Sequence, residues 1–240
     1  MLLSTLGLGF LIGMQHATEA DHVAAVCSMA SGRTGLRAIT RHGVFWGLGH
    51  TVTLLLIAGG CLVMRATISE PMSEILESLV GVMLVGLGAH VLYRLWRDRV
   101  HFHAHRHEGA PPHFHAHSHR AEIAPHAQST HAHEHPEGLP WRTLIVGLMH
   151  GMAGSASLIV LTAATLESPA WGVAYILLFG VGTIVGMAVL SAVIAAPITL
   201  TARTLTTANS VLQLAIGALT VSIGVRTLME TGPGVIGTLF

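Results

Sequence analysis

Six apolar stretches follow one another along this 240-residue chain, near 2–30, 43–64, 75–96, 142–166, 170–198 and 208–229. Each has the roughly 20 residues that a helix needs to cross a bilayer. The sequence therefore predicts an all-α, polytopic integral membrane protein with six transmembrane helices. Residues 1–97 would hold helices 1–3, 98–141 a connecting loop, and 142–240 helices 4–6. Glu167, Ser168 and Pro169 provide a short turn between the fourth and fifth spans. Composition agrees. Only 10% of the residues are charged and mean hydropathy is +0.63, whereas a soluble domain carries about 25% charged residues. The opening MLLSTLGLGFLIG has no basic region, which argues against a cleaved signal peptide.

The arginines set the expected orientation, since the chain has no lysine. Arg33, Arg37 and Arg41 fall in the first loop. Arg94, Arg97, Arg99, Arg106, Arg120 and Arg142 lie in or beside the third, and Arg203 in the fifth. The second loop is acidic on balance. Basic loops face the cytoplasm, so the odd loops are expected inside a bacterial inner membrane and both termini outside. Arg226 departs from this pattern. A formal charge of zero gives no footprint for a nucleic-acid partner.

Twelve of the 18 histidines fall in 98–141, as HFHAHRH, HFHAHSH and HAHEH. This low-complexity segment has too little apolar content to fold alone and is expected to be disordered. Alternating His lies on one side of an extended chain. His101, His103, His105, His107, His113, His115, His117, His119, His131, His133 and His135 are therefore expected to act as exchangeable imidazoles that buffer metal at the cytoplasmic mouth.

The remaining ionisable groups are more demanding. The first span carries Gln15, His16, Glu19, Asp21 and His22 among apolar neighbours, with no arginine inside it. A carboxylate at the bilayer centre costs about 2.5–3.5 kcal/mol, and intramembrane ionisable residues mark function. A bound cation offsets two acids; protonation of one acid is the competing explanation. In a regular helix Gln15, His16, Glu19 and His22 share an arc of about 120°, while Asp21 lies about 140° from His16. Asp21 must then either sit where the helix unwinds or fix the tautomer of a ligand histidine. His22, His50 and His150 all lie roughly 12 Å from the inner face, with His16 about 9 Å further out. The candidate metal ligands are thus His16, Glu19, Asp21, His22, His50 and His150. Imidazole and carboxylate donors suit nickel, cobalt or zinc.

A GxxH pattern recurs at Gly13–His16, Gly47–His50 and Gly147–His150. The first and fourth spans run in opposite directions, which suggests inverted three-helix repeats. The glycine pairs Gly43/Gly47, Gly147/Gly151 and Gly182/Gly186 are expected to allow close helix packing.

The segment His16-x4-Asp21-His22-Val23-Ala24-Ala25-Val26 resembles the signature of the nickel/cobalt transporter (NiCoT) family. Gly47-Leu48-Gly49-His50-Thr51 resembles its second motif. Residues 147–155, GLMHGMAGS, resemble the glycine/serine segment of its shorter, urease-accessory-type members. The resemblance implies a permease of six to eight helices for Ni²⁺ or Co²⁺, and marks His16, Asp21, His22 and His50. It implies a transported ion rather than a prosthetic group, and a cytoplasmic metallochaperone is a candidate partner besides the bilayer. Import is the expected direction. The His-rich loop resembles that of the family's efflux members and keeps export as the alternative.

Enzyme readings are weaker. A zinc-dependent intramembrane hydrolase has the histidines it needs but no HExxH. A serine protease at Gly154-Ser155 lacks a histidine on a partner helix. Cys27 and Cys61 lie near opposite ends of neighbouring spans, too far apart for thiol-redox chemistry.

Overall fold

The computed structural model describes residues 2–31, 35–98, 101–105, 113–117, 141–151, 155–166, 168–204 and 206–239. Among the described residues, four helices are long and apolar enough to cross a membrane. They are α3 (Leu36–Met64), α4 (Glu70–Asp98), α7 (Pro169–Thr204) and α8 (Thr206–Leu239). The other two expected spans are not continuous helices. The first is split into α1 (Leu2–His16) and α2 (Ala20–Ala30), and the fourth into α5 (Trp141–His150) and α6 (Ser155–Ala164). Each break follows directly on a histidine of a GxxH motif, His16 or His150. Of the two roles expected for Asp21, the one that places it where the first span unwinds is met by the break after His16.

The first break is built locally. Thr18 donates from both its backbone N–H and its hydroxyl to the Gln15 carbonyl, at 2.9 and 2.6 Å. The Glu19 N–H donates to His16 at 3.1 Å. These tight bonds close α1. Glu19 then takes an extended conformation (φ −64°, ψ 152°) as the residue that starts α2. Elsewhere, Gly35 precedes α3 at φ +105°, a region that glycine tolerates.

The helices pack in pairs through glycine. α1 runs parallel to α7, with Gly13 against the Phe179 backbone and Gly182 against that of Phe10. α5 runs parallel to α3, with Gly147 against Trp46 and Gly49 against Leu144. α3 and α7 cross at the centre in antiparallel sense, Gly47 on Ile184 and Gly180 on Thr51. α4 and α8 form an antiparallel pair in which Gly81 meets Gly224 and Gly88 meets Gly217. A methyl group at these contacts would overlap its neighbours, so the expected close packing at Gly43/Gly47, Gly147/Gly151 and Gly182/Gly186 is realised. Arg37, Arg41, Arg94, Arg97 and Arg142 gather at one end of the bundle, called here the arginine-rich end.

Two short strands, β1 (His101–His105) and β2 (His113–His117), pair antiparallel within the His-rich segment. These ten residues depart from an all-helical fold and from a wholly disordered loop. Their repeated HFHAH sequences pair His101 with His117, His103 with His115 and His105 with His113. His107, His119, His131, His133 and His135 lie outside the described residues.

Candidate metal site

The two helix breaks and the middle of α3 meet at a cluster of four histidines. His22, His50 and His150 are each 1% exposed and His16 is 6% exposed. Ring centroids are 4.1 Å apart for His22–His150, 4.4 Å for His16–His22, 5.2 Å for His16–His50 and 5.4 Å for His22–His50. Trp46, fully buried one turn before His50, lies against His22 and His150. Phe179 of α7 lies against His16. The sequence reading missed this aromatic wall, although the Trp46/His50 spacing places both on one helix face.

Asp21 organises the cluster. It stands in the first turn of α2, where the helix dipole favours a negative charge. Its Oδ1 lies 2.9 Å from His22 Nδ1 and its Oδ2 lies 3.0 Å from His150 Nε2. If both nitrogens donate, His22 is left with Nε2 as a lone pair and His150 with Nδ1. Neither of these atoms has a hydrogen-bond partner among the described residues, and neither ring nitrogen of His50 has one. A buried polar atom without a partner costs about 1–3 kcal/mol. Four in one place mark a site shaped for a ligand.

Two overlapping donor sets emerge: His16, His22 and His50, and Asp21, His22 and His150. Within each set the candidate donor atoms lie within 4.8 Å of one another. An ion with bonds of about 2.1 Å holds its donors about 3–4 Å apart, so a small contraction completes either set. His22 belongs to both.

Several expectations are revised by this geometry. His16 is not about 9 Å further out; the break after it bends the chain so that its ring meets that of His22. The shared helical face of Gln15, His16, Glu19 and His22 dissolves for the same reason. Asp21 both sits beside an unwound segment and contacts two of the candidate histidines, His22 and His150, the two positions first posed as alternatives. Glu19 falls in neither donor set. Its Oε1 lies 2.9 Å from His16 Nδ1 and its side chain is more than half exposed. Gln15 is exposed, and His42 bonds to Thr143 at 2.5 Å, away from the cluster.

Two cavities reach the cluster. One of about 540 Å³ lies between the first break and the α4/α8 pair, bordered by His16, Glu19, Asp21, His22, His150, Glu77, Arg226 and Glu230. Arg226 and Glu230 pair at 2.8 Å. The other, about 440 Å³, is bordered by Gln15, His16, Thr18, Glu19, Thr162, Tyr175 and Phe179. Toward the arginine-rich end, α2, α3 and α7 close on a void of only about 10 Å³.

Urease accessory protein UreH of Bacillus sp. (strain TB-90) is 35% identical to this chain over 232 residues, 96% of this chain and 93% of that protein. The chain belongs to the UreH-like branch of the nickel/cobalt transporter family. It is a permease-type membrane protein rather than an enzyme. No family model matches it, and no solved structure does.

Proposed function

We propose that the chain carries Ni²⁺ inward across the bacterial inner membrane, binding it through His16, His22 and His50 with Asp21 and His150 behind His22. The buried cluster of unpartnered imidazole nitrogens carries this reading. Neutral nitrogen donors with one carboxylate favour a late first-row divalent ion over Mg²⁺ or Ca²⁺. A permease must bind tightly enough to strip water yet release the ion, and few charged donors suit that balance. Kinship with a urease accessory protein favours nickel over cobalt as cargo. A cytoplasmic metallochaperone would then receive the ion.

The broken pairs α1/α2 and α5/α6 each complete one of six spans, with both termini outside and the arginine-rich end in the cytoplasm. Import is favoured by the larger cavity, whose lining includes Glu77 and Glu230 on the parts of α4 and α8 away from the arginine-rich end. Acidic residues at an entrance concentrate cations. The His-rich segment serves as a cytoplasmic buffer, its β1/β2 register giving three rungs of opposed histidines.

The two halves are an inverted repeat. Phe10 and Gly13 correspond to Leu144 and Gly147, each 134 positions on. Trp46 and Gly49 correspond to Phe179 and Gly182, 133 positions on. The α1/α7 contacts thereby reproduce the α5/α3 contacts, and Gly47–Ile184 reproduces Gly180–Thr51. Gly81 and Gly88 match Gly217 and Gly224, 136 positions on.

Radioactive nickel accumulation in cells with and without the protein tests direction and cargo together. Import raises accumulation, export lowers it, and an unchanged level for both nickel and cobalt overturns the reading. His22→Ala should abolish the flux in a chain that still reaches the membrane.

A further inference from the structure

Outside the histidine cluster, four more buried polar atoms lack a hydrogen-bond partner among the described residues. They are Trp46 Nε1, Thr40 Oγ1, Ser191 Oγ and Asn209 Nδ2. All four stand between the cluster and the arginine-rich end. Thr40 and Trp46 precede His50 on α3, Ser191 lies in the second half of α7 against Gly43, and Asn209 is near the start of α8. Unpaired buried polar atoms are a cost to a fold, and among the described residues they gather on this one side.

A possible ligand lies on the same side. His42, Trp46 and His50 are spaced four residues apart and share one face of α3. Trp46 is fully buried between the two histidines and packs on His22 and His150. Beyond it, α2, α3 and α7 enclose the void of about 10 Å³, with Met29, His42 and Ser191 in its wall. The void has room for no more than about one water. Gly43 leaves the space that the Ser191 hydroxyl fills, since a methyl group there would overlap it. His42 is half-buried, and its Nδ1 lies 2.5 Å from Thr143 Oγ1 at the start of α5. Behind the void, α2 is held to α8 through Ser28 and Thr220, whose hydroxyls lie 2.8 Å apart.

We infer that this seam is the ion's route between the cluster and the arginine-rich end, and that His42 is the ligand that takes the ion once it has passed Trp46. The inference rests on the transport function proposed above. His42 and His50 are eight residues apart, about 12 Å along the helix. Val26, Trp46 and Met187 fill that interval with apolar surface, in which a divalent ion stripped of water has no compensation. An imidazole at the far side suits a late first-row ion. The seam is closed in this structure, so α2 and α3 part here when the ion passes. Water then reaches the Ser191 and Asn209 side chains, which accounts for polar groups on a dry seam. A residue that only pins α3 to α5 through Thr143 needs a hydrogen bond and not a metal ligand, and that difference is measurable.

The test uses the full chain. His42→Gln keeps a side chain able to bond Thr143 but replaces imidazole by an amide, a poor nickel ligand. Its nickel Kd in detergent should equal that of the parent, which also shows that the variant is folded. In proteoliposomes its maximal rate of Ni²⁺ uptake should fall about tenfold with the half-saturating concentration unchanged. In a Cys27→Ala, Cys61→Ala background, Ser191→Cys should react with a membrane-impermeant methanethiosulfonate added from the side of the arginine-rich end. Nickel should slow that reaction, and His42→Gln should remove the protection. Full uptake by His42→Gln overturns the role of His42. So does a loss of uptake matched by an equal loss of nickel affinity, because His42 then acts through packing. A Ser191→Cys that stays unreactive during turnover overturns the route. If the parent moves neither nickel nor cobalt, the transport reading fails, and the nickel dependence of Ser191→Cys labelling still decides whether ions enter the seam.

Discussion

His50 gives the sharpest separation between a residue kept for stability and one kept for binding. It is 1% exposed and neither ring nitrogen has a hydrogen-bond partner among the described residues. In a neutral imidazole one of these atoms is a donor and the other an acceptor. Each unmet group costs about 1–3 kcal/mol. His50→Leu removes both polar atoms and roughly conserves volume, with a shape penalty usually under about 1.5 kcal/mol. Metal-free protein should therefore gain stability, by on the order of 1–5 kcal/mol after the shape penalty. Binding should behave oppositely. Nickel at one hundred times its Kd stabilises the parent by about 2.7 kcal/mol through mass action. His50→Leu removes a donor from the His16/His22/His50 set, so this shift should collapse. Thermal unfolding of the purified protein in detergent, with and without nickel, reads both quantities. The reasoning is refuted if the metal-free variant is clearly less stable while its nickel shift is undiminished, because His50 would then be a packing residue.

Asp21→Asn keeps the shape but removes the charge that orients His22 and His150. Loss of such an orienting carboxylate typically weakens metal binding about 10–100-fold, measurable by calorimetric titration with nickel. Gly13→Ala drives a methyl group into the Phe179 backbone, and overpacking of this kind costs about 1–3 kcal/mol. Gly7→Ala, where nothing lies within 4 Å, should leave the unfolding temperature close to that of the parent. In the His-rich segment, His103→Ala with His115→Ala removes one rung, while His103→Ala with His113→Ala damages two. Nickel stoichiometry of the full chain should fall further in the second variant; equal losses would mean independent imidazoles.

Much of the fold was legible because lipid imposes a simple rule on the chain. Long apolar runs located α3, α4, α7 and α8, although the helices run on beyond the expected bounds, furthest at the end of α8, and the glycine pairs marked contacts of α3, α5 and α7. The breaks after His16 and His150 were harder to place. Apolar residues continue on both sides of each break, so hydropathy does not register it. At the first, the side-chain and backbone bonds of Thr18 set the interruption. At the site, equal depth brought His22, His50 and His150 together on paper because it depends only on helix rise. His16 was misplaced because the same rise was carried across residues that are not helical. Glu19, expected among the ligands, lies outside both donor sets but keeps His16 as its neighbour at 2.9 Å. The α4/α8 side of the larger cavity was not foreseen, since Glu77, Arg226 and Glu230 reach it only through tertiary packing.

The asymmetry of the ligands inside a repeated frame has its own consequence. On the proposed correspondence His16 matches His150, but His50 matches Thr183, which is buried and donates to the Phe179 carbonyl at 3.0 Å. Asp21 and His22 match Ser155 and Ala156, neither of which is a strong donor to a transition metal. On that correspondence the frame is duplicated while the proposed binding set is not. A second complete set would hold a second ion and add charge repulsion beside the first. A single proposed set centred on His22 would take one ion at a time. His22 also sits at the head of α2, the half-helix gripped by α8. Any movement of α2 would therefore move a candidate ligand of the ion. On the proposed site, such a shift would take the His16/His22/His50 set out of its geometry and weaken its hold on the ion.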